Sequence, residues 1–365
     1  MSNTQQHWKE YVAQECAYFA PILETLGYVL DTHQPHIGGE RYLMQAITTT
    51  SGKKLILLGT DEDKNPVVIK ASTDPLGMQE LIHEQTCREV LQKINFAYTV
   101  FKSPPQLLFK KTNTHVFSIQ QFIPQQKTFL ERPIQEQFAL ALTTFKAQEG
   151  ARATTFGHEQ MIAHTFGKAD AHYYLTTFTE FQTSIATLYP DAEIEELLAT
   201  AGAFLITHKI TLDRYRGFLT HTDFVPHNIR IQNGTIYLLD HASLRFGNKY
   251  EGWARFLNFM TLYNPELESI FLTYLQENRN EEELLSLKLM RLYRLGEIIL
   301  FYVQNLSRTE GDLHELTKAR VTFWSAVLKT TLADEVLDPT IRTTYQTIRD
   351  SLRSEEEKRR QEKLH

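Results

Sequence analysis

Two strand-like runs, NIRIQ (228–232) and TIYLL (235–239), are separated only by Asn233-Gly234. Both positions of that pair tolerate positive φ, so the segment predicts a β-hairpin with a two-residue turn. Such a turn fixes the register, with Asn228 opposite Leu239 and position 227 opposite 240. Asn228 and Asp240 then leave the open end of the hairpin as near neighbours. Asp223 enters through HTDFVPHN (221–228) and is delivered to the same end. Three oxygen-bearing side chains on loop ends beside a rigid hairpin suit a hard cation or a phosphate. Asp and Asn also occupy strand ends because they make turns. The short D-x-x-x-x-N string gains its weight from the second aspartate facing it.

Upstream, residues 41–123 read as strands. YLMQAITT and LILLGT flank TSGKK, and NPVVIKAS follows, which predicts three antiparallel strands. A helix over 76–94 comes next, then VFKSPPQLLF, then the strand HVFSIQQFI ending at Pro124. Lys70 closes the run PVVIK. It is either an edge-strand charge or a lysine on a central strand pointing into a cleft. The helix offers Glu80, Glu84 and Glu89 as partners, and Glu84, mid-helix, is the favoured one.

After Pro124 the pattern predicts helices over 134–149, 170–188, 191–208, 251–277, 281–305, 310–332 and 338–363. Leu285, Leu289, Leu292, Leu295, Ile299 and Val303 form a core stripe on one of them. Residues 8–30 are mainly helical with a possible break at Pro21, and HQPHIGGE (33–40) is turn-rich. The end, SEEEKRRQEKLH, is a charged helix with Glu355–Arg359 and Glu356–Arg360 pairs. The expected division is an N-terminal helical extension (1–38), a small lobe (39–123), a helical large lobe (124–340) and a charged helical tail (341–365).

The chain has 365 residues and a formal charge of −6, which argues against a dedicated nucleic-acid binder. Two cysteines, Cys16 and Cys87, are too few for a disulfide framework and fit a reducing cytoplasm. The N-terminus lacks a basic head followed by an apolar run. The most apolar stretch, 284–306, is interrupted by Lys288, Arg291, Arg294 and Glu297. The expectation is a cytoplasmic protein with neither nucleic acid nor membrane as partner; its oligomeric state is not legible.

V-x-I-K on the third strand, a helix with a glutamate, a strand running into I-P, then H-x-D-x-x-x-x-N and a hairpin closing on L-L-D resemble the aminoglycoside phosphotransferase and choline kinase group of kinase-like enzymes. The resemblance covers roughly 40–305. It implies an α+β, two-lobed protein-kinase-like fold, with a small antiparallel β-sheet N-lobe and a large, mostly helical C-lobe. It further implies a small-molecule kinase using ATP or GTP and Mg²⁺ to phosphorylate a hydroxyl of a small, possibly amine-bearing acceptor. In that resemblance Lys70 contacts the α- and β-phosphates and Glu84 holds it. Asp223 accepts or orients the hydroxyl proton, and His221 braces the catalytic loop. Asn228 and Asp240 hold Mg²⁺, while backbone groups near Gln121 and Ile123 meet the adenine edge. Glu251, in FGNKYEGWARF (246–256), is a structural acid beside Trp253 and Arg255.

The chain departs from the family pattern in several places. Thr222 stands where glycine is usual, and His241 where Trp or Phe is commoner. The phosphate-covering loop TTTSGKK (48–54) has one glycine, Gly52. It is not a P-loop, because Ile47 replaces the first glycine and Lys54 the Ser/Thr after Gly52-Lys53. Acids such as Glu180, Asp170 and Glu297 would favour a cationic amine if they lined the acceptor pocket, but each also reads as a solvated helix-face charge.

Two other readings compete. His221, Asp223, His227, Asp240 and His241 could collect metal for a hydrolase, although their spacing matches no zinc pattern. A kinase-like chain can also bind nucleotide without catalysis. His158, His164 and His172 are scattered, and no G-x-S-x-G elbow supports acyl transfer.

Overall fold

The computed structural model describes residues 8–34 and 52–353, together with 355 and 358. The strand expected over YLMQAITT, most of HQPHIGGE, most of the phosphate-covering loop and the paired charges of the C-terminal segment lie outside the described residues. Helix α1 (Trp8–Glu24) carries Pro21 without interruption. After it come β1 (Val29–Leu30), β2 (Leu55–Thr60), β3 (Pro66–Ser72), α2 (Pro75–Lys93), α3 (Asn95–Val100), β4 (Gln106–Lys111) and β5 (Val116–Gln121).

The five strands form one antiparallel sheet in the order β1-β2-β3-β5-β4, with β3 central. Leu55, Leu57, Val67, Ile69, Ala71, Phe117 and Ile119 bury one face under Tyr11, Phe19 and Leu23 of α1. The N-terminal segment is thus built into the small lobe, as covering helix and edge strand. The opposite face meets α2. Asp74 caps this helix by accepting from the Gly77 amide. A Cβ on Gly77 would come within 2.2 Å of the Lys53 carbonyl oxygen, so only glycine lets the helix start so close to residues 52–53.

The large lobe contains α4 (Ile134–Glu149), α5 (Phe156–Phe166), α6 (Ala171–Leu188), α7 (Ala192–Thr207), α8 (Lys209–Arg214), β6 (Phe218–His221), β7 (Ile229–Gln232), β8 (Thr235–Leu238) and β9 (Leu244–Gly247). It closes with α9 (Glu251–Tyr263), α10 (Pro265–Asn278), α11 (Glu281–Leu306), α12 (Gly311–Ala333) and α13 (Pro339–Leu352). Helices α3, α5 and α8 were not expected from periodicity. The single helix expected over 251–277 is two, because Pro265 opens α10 and Asn264 caps it. The helix expected over 338–363 is broken at Arg353, where α13 ends, with Glu355 and Lys358 beyond the break again helical, and Tyr345 is buried in the lobe.

The core stripe on α11 is as expected: Leu289, Leu292, Leu295, Ile299 and Val303 are buried, and Leu285 packs partly buried beside them. Phe145 stacks on Trp253 with centroids 4.2 Å apart, and Phe224 and Phe256 join the same cluster. Phe224 directly follows Asp223, so each aromatic contact also anchors the loop that carries this acid. Among the described residues no helix is long and apolar enough to cross a membrane.

Candidate active site

Two small ladders aim the acidic loops. Strands β7 and β8 pair with Ile229 opposite Leu238. Beyond them the Leu239 amide donates to the Asn228 carbonyl at 2.8 Å, the register that the Asn233-Gly234 turn predicts. A second ladder, not anticipated from sequence, pairs β6 with β9 and sets His221 opposite Leu244. Asp223 therefore follows one strand and Asp240 precedes its neighbour. Thr222 extends the ladder, since its amide and hydroxyl both donate to the Ser243 carbonyl, at 2.9 and 2.8 Å. That bond accounts for a threonine in the place of the usual glycine.

A hydrogen-bonded chain links these residues. His221 is fully buried, with Nε2 2.9 Å from the Leu239 carbonyl. Asn228 Nδ2 donates to the Asp223 carbonyl at 3.0 Å and to Asp223 Oδ2 at 2.7 Å. Arg255 Nε, from α9, donates to Asp223 Oδ1 at 2.7 Å. Burial alone would raise the Asp223 pKa. Arg255, followed by Arg294 and His221, outweighs it and lowers the value to about 2. Sequence reasoning named Arg255 without a partner and missed Arg294 here, because both act across tertiary contacts.

Asp240 has φ 56°, in the left-handed region, where Asp is tolerated better than most residues. Its Oδ2 accepts from Ser243 Oγ at 2.7 Å, and among the described residues its Oδ1 accepts no hydrogen bond. Asn228 has committed its Nδ2 and keeps Oδ1. Two free oxygens from two residues fit Mg²⁺, which completes its shell with water and phosphate oxygens. Among the described residues no group of three or more His, Cys, Asp or Glu could hold a metal by itself. His241 is buried, with Nε2 3.0 Å from the Phe101 carbonyl. Burial, with Arg88 nearby, lowers its pKa to about 3.

On the small lobe, Lys70 Nζ donates to Glu84 Oε1 at 2.5 Å, and both residues are buried. Burial opposes the Glu84 charge, but Lys70 and then Arg88 lower its pKa to about 2. Lys70 sits on β3, between β2 and β5, so the edge-strand reading does not hold. Glu80 pairs instead with Lys54 at 3.1 Å. At the edge leaving β5, the Gln121 amide donates to the Pro105 carbonyl at 2.9 Å. Proline has no N–H to return, so the Gln121 carbonyl is left open. The Ile123 amide, two residues on, makes no backbone hydrogen bond among the described residues either. A carbonyl and an N–H on one edge match the donor and acceptor of a purine.

Glu251 is fully buried. It accepts from Tyr174 Oη at 2.8 Å and from Arg245 Nη1 at 3.0 Å, and Arg294 Nη1 lies 3.6 Å away. It is a structural acid. Asp170 caps α6 by accepting from the Tyr173 amide at 3.0 Å, Glu297 pairs with Arg294 at 2.7 Å, and Glu180 is exposed on α6.

Neither a family model nor a curated protein matches the sequence. Solved structures do match. An amicoumacin kinase in complex with AMP-PNP, Ca²⁺ and Ami is 13% identical, with a TM-score of 0.57 over 91% of this chain and 98% of its own. A spectinomycin phosphotransferase in complex with ADP and its antibiotic is 15% identical, with a TM-score of 0.55 over 85% and 97%. The apoenzyme of a macrolide 2'-phosphotransferase from Brachybacterium faecium is 12% identical, with a TM-score of 0.54 over 83% and 97%.

The chain has the α+β, two-lobed, kinase-like fold of the aminoglycoside phosphotransferases, with an antiparallel sheet in the small lobe and helices in the large one.

Proposed function

We propose that the protein is a small-molecule kinase that transfers the γ-phosphate of ATP or GTP to a hydroxyl of a small acceptor. The observation that carries this reading is the chain from His221 through Leu239, Asn228 and Asp223 to Arg255, on the same fold as a buried Lys70–Glu84 pair. Neighbours that hold a nucleotide together with a small antibiotic support a small-molecule acceptor.

Lys70 takes the α- and β-phosphates, and Glu84 fixes its ammonium. Gln121 and Ile123 receive the base through backbone groups. Asn228 and Asp240 would hold Mg²⁺, which neutralises phosphate charge when bound. Asp223 accepts a hydrogen bond from the acceptor hydroxyl and aligns its oxygen with the γ-phosphorus. A carboxylate with a pKa of about 2 is a poor proton acceptor. Phosphoryl transfer through a loose transition state asks mainly for alignment and electrostatics, so a weak base suffices. His221 braces the loop and touches no substrate. Glu297 and Asp170 are engaged within the fold, so the described residues single out no amine-bearing acceptor.

A second reading, nucleotide binding without transfer, has one observation in its favour: both Asp223 carboxylate oxygens are already bonded. The test is Asp223→Asn with labelled nucleotide and a panel of hydroxyl acceptors. We expect transfer to fall roughly 10²–10⁴-fold with nucleotide affinity within about twofold of wild type. Wild-type turnover in the variant would remove Asp223 from its role. A wild-type protein that binds nucleotide but phosphorylates no acceptor would favour the second reading.

A further inference from the structure

Lys54 lies just before β2, where the sequence departs from a P-loop, and the reading above gives it no task. The β2–β3 register pairs Leu55 with Ala71 and Ile56 with Lys70. Leu55, Leu57, Ile69 and Ala71 face the core beneath α1. By alternation, Lys54, Ile56 and Lys70 share the opposite face, the one that meets α2. Glu80 and Glu84 are one helical turn apart on α2. Two Lys–Glu pairs therefore stand side by side, Lys54–Glu80 at 3.1 Å and Lys70–Glu84 at 2.5 Å.

The residue before Lys54 is held from several directions. The Lys53 carbonyl accepts from Tyr11 Oη at 3.1 Å and from Ser72 Oγ at 2.5 Å, and the Lys53 amide donates to Asp74 Oδ2 at 3.1 Å. The Gly52 amide donates to Glu80 Oε1 at 2.8 Å, so one carboxylate fixes both the backbone and the ammonium. The Lys54 side chain is 28% exposed, against 11% for Lys70, which leaves it open on one side. Burial opposes its charge, yet Asp240, then Glu80 and Glu84, raise its pKa above that of a free lysine.

We propose that Lys54 is a second phosphate-binding lysine of the cleft: held by Glu80 on the sheet face that carries Lys70, its ammonium takes an oxygen of the terminal phosphate of a nucleoside triphosphate. The inference rests on the kinase reading and adds to it a preference for triphosphate over diphosphate. Lys70 serves the phosphates that both nucleotides share, whereas Lys54 serves the one that only the triphosphate has.

Calorimetric titration of the full chain with Mg-ATP and Mg-ADP tests it, using wild type, Lys54→Met, Lys54→Arg and Glu80→Gln. A charge-assisted hydrogen bond corresponds to about tenfold or more in affinity. Lys54→Met should weaken Mg-ATP by that factor and Mg-ADP by less than about twofold, and Lys54→Arg should restore most of the difference. Glu80→Gln releases the ammonium from the partner that holds it but keeps the lysine charge and an acceptor for Gly52, so it should reduce the ATP-over-ADP preference part of the way toward Lys54→Met. Equal losses for both nucleotides, or none, in Lys54→Met would overturn the inference while leaving the kinase reading in place. If Lys54→Met does not fold, Lys54→Gln replaces it under the same criterion, and an ATP-over-ADP preference unchanged in both Lys54→Gln and Glu80→Gln decides against the inference. Failure of the wild type to bind either nucleotide would sink the kinase reading and the inference with it.

Discussion

Arg255 Nε donates to Asp223 Oδ1 at 2.7 Å, from a helix that begins 28 residues after the aspartate in sequence. The guanidinium offsets the desolvation of Asp223 and keeps it ionised, so in the proposed kinase this acid would chiefly orient the acceptor hydroxyl as a weak base. Arg255→Met should release the Asp223 pKa upward, toward or beyond its ordinary value of 3.8. The transfer rate should fall about tenfold or more with the nucleotide KM little changed. An acid limb should enter the pH–rate profile above pH ~4, where the wild type stays flat. Superimposable profiles for the two proteins would show that Arg255 does not set the charge of Asp223.

Glu251 joins α9 to α6 and α11 through Tyr174, Arg245 and Arg294. Replacing it by Leu would leave half-buried Arg245 without its counter-charge and the buried Tyr174 hydroxyl without its acceptor, while Arg294 keeps Glu297, a loss of about 3–5 kcal/mol. A drop in Tm of about 6 °C or more is expected from differential scanning calorimetry. A change below ~1 °C would mean that the arginines find other partners.

The hairpin was the most legible part of the chain, because Asn233-Gly234 fixes a register from local chemistry alone. The Lys70–Glu84 pair followed from helix spacing once a cleft was assumed. What escaped was tertiary. The β6–β9 ladder joins strands too short to show a period, and α5, between two longer helices, and α8, between α7 and β6, are short. The break before Pro265 had a signal in Asn264-Pro265 that periodicity overrode. Buried Arg294 is legible in sequence only as a charge interrupting an apolar stretch, and half-buried Arg255 only as a neighbour of Glu251; their partners Glu251, Glu297 and Asp223 come from tertiary structure. Lys54 was noted for the residue it replaced rather than for its sheet face.

His241 carries a pH signature. Its pKa is lowered from 6.5 to about 3 in the folded chain, chiefly by burial. Between those values the unfolded chain binds a proton that the folded one refuses, so stability falls as pH drops from about 6.5 toward 3. The slope from this one group approaches about 1.4 kcal/mol per pH unit. Above pH 6.5 both states are neutral and the effect is absent. His241→Gln keeps a donor for the Phe101 carbonyl and removes the titration. Denaturant unfolding between pH 7 and 4.5 should therefore give a flatter stability curve for the variant. Parallel curves would mean that His241 protonates without cost in the fold.

The central claim is a nucleotide site completed by a cation on Asn228 and Asp240. Its most direct measurement is calorimetric titration of ATP and GTP into wild type and Asp240→Ala, each with and without Mg²⁺. The account predicts that at least one nucleotide binds the wild type, that Mg²⁺ tightens this binding, and that Asp240→Ala loses the Mg²⁺-dependent part. Nucleotide binding indifferent to Mg²⁺ in both proteins, or no binding at all, would contradict it.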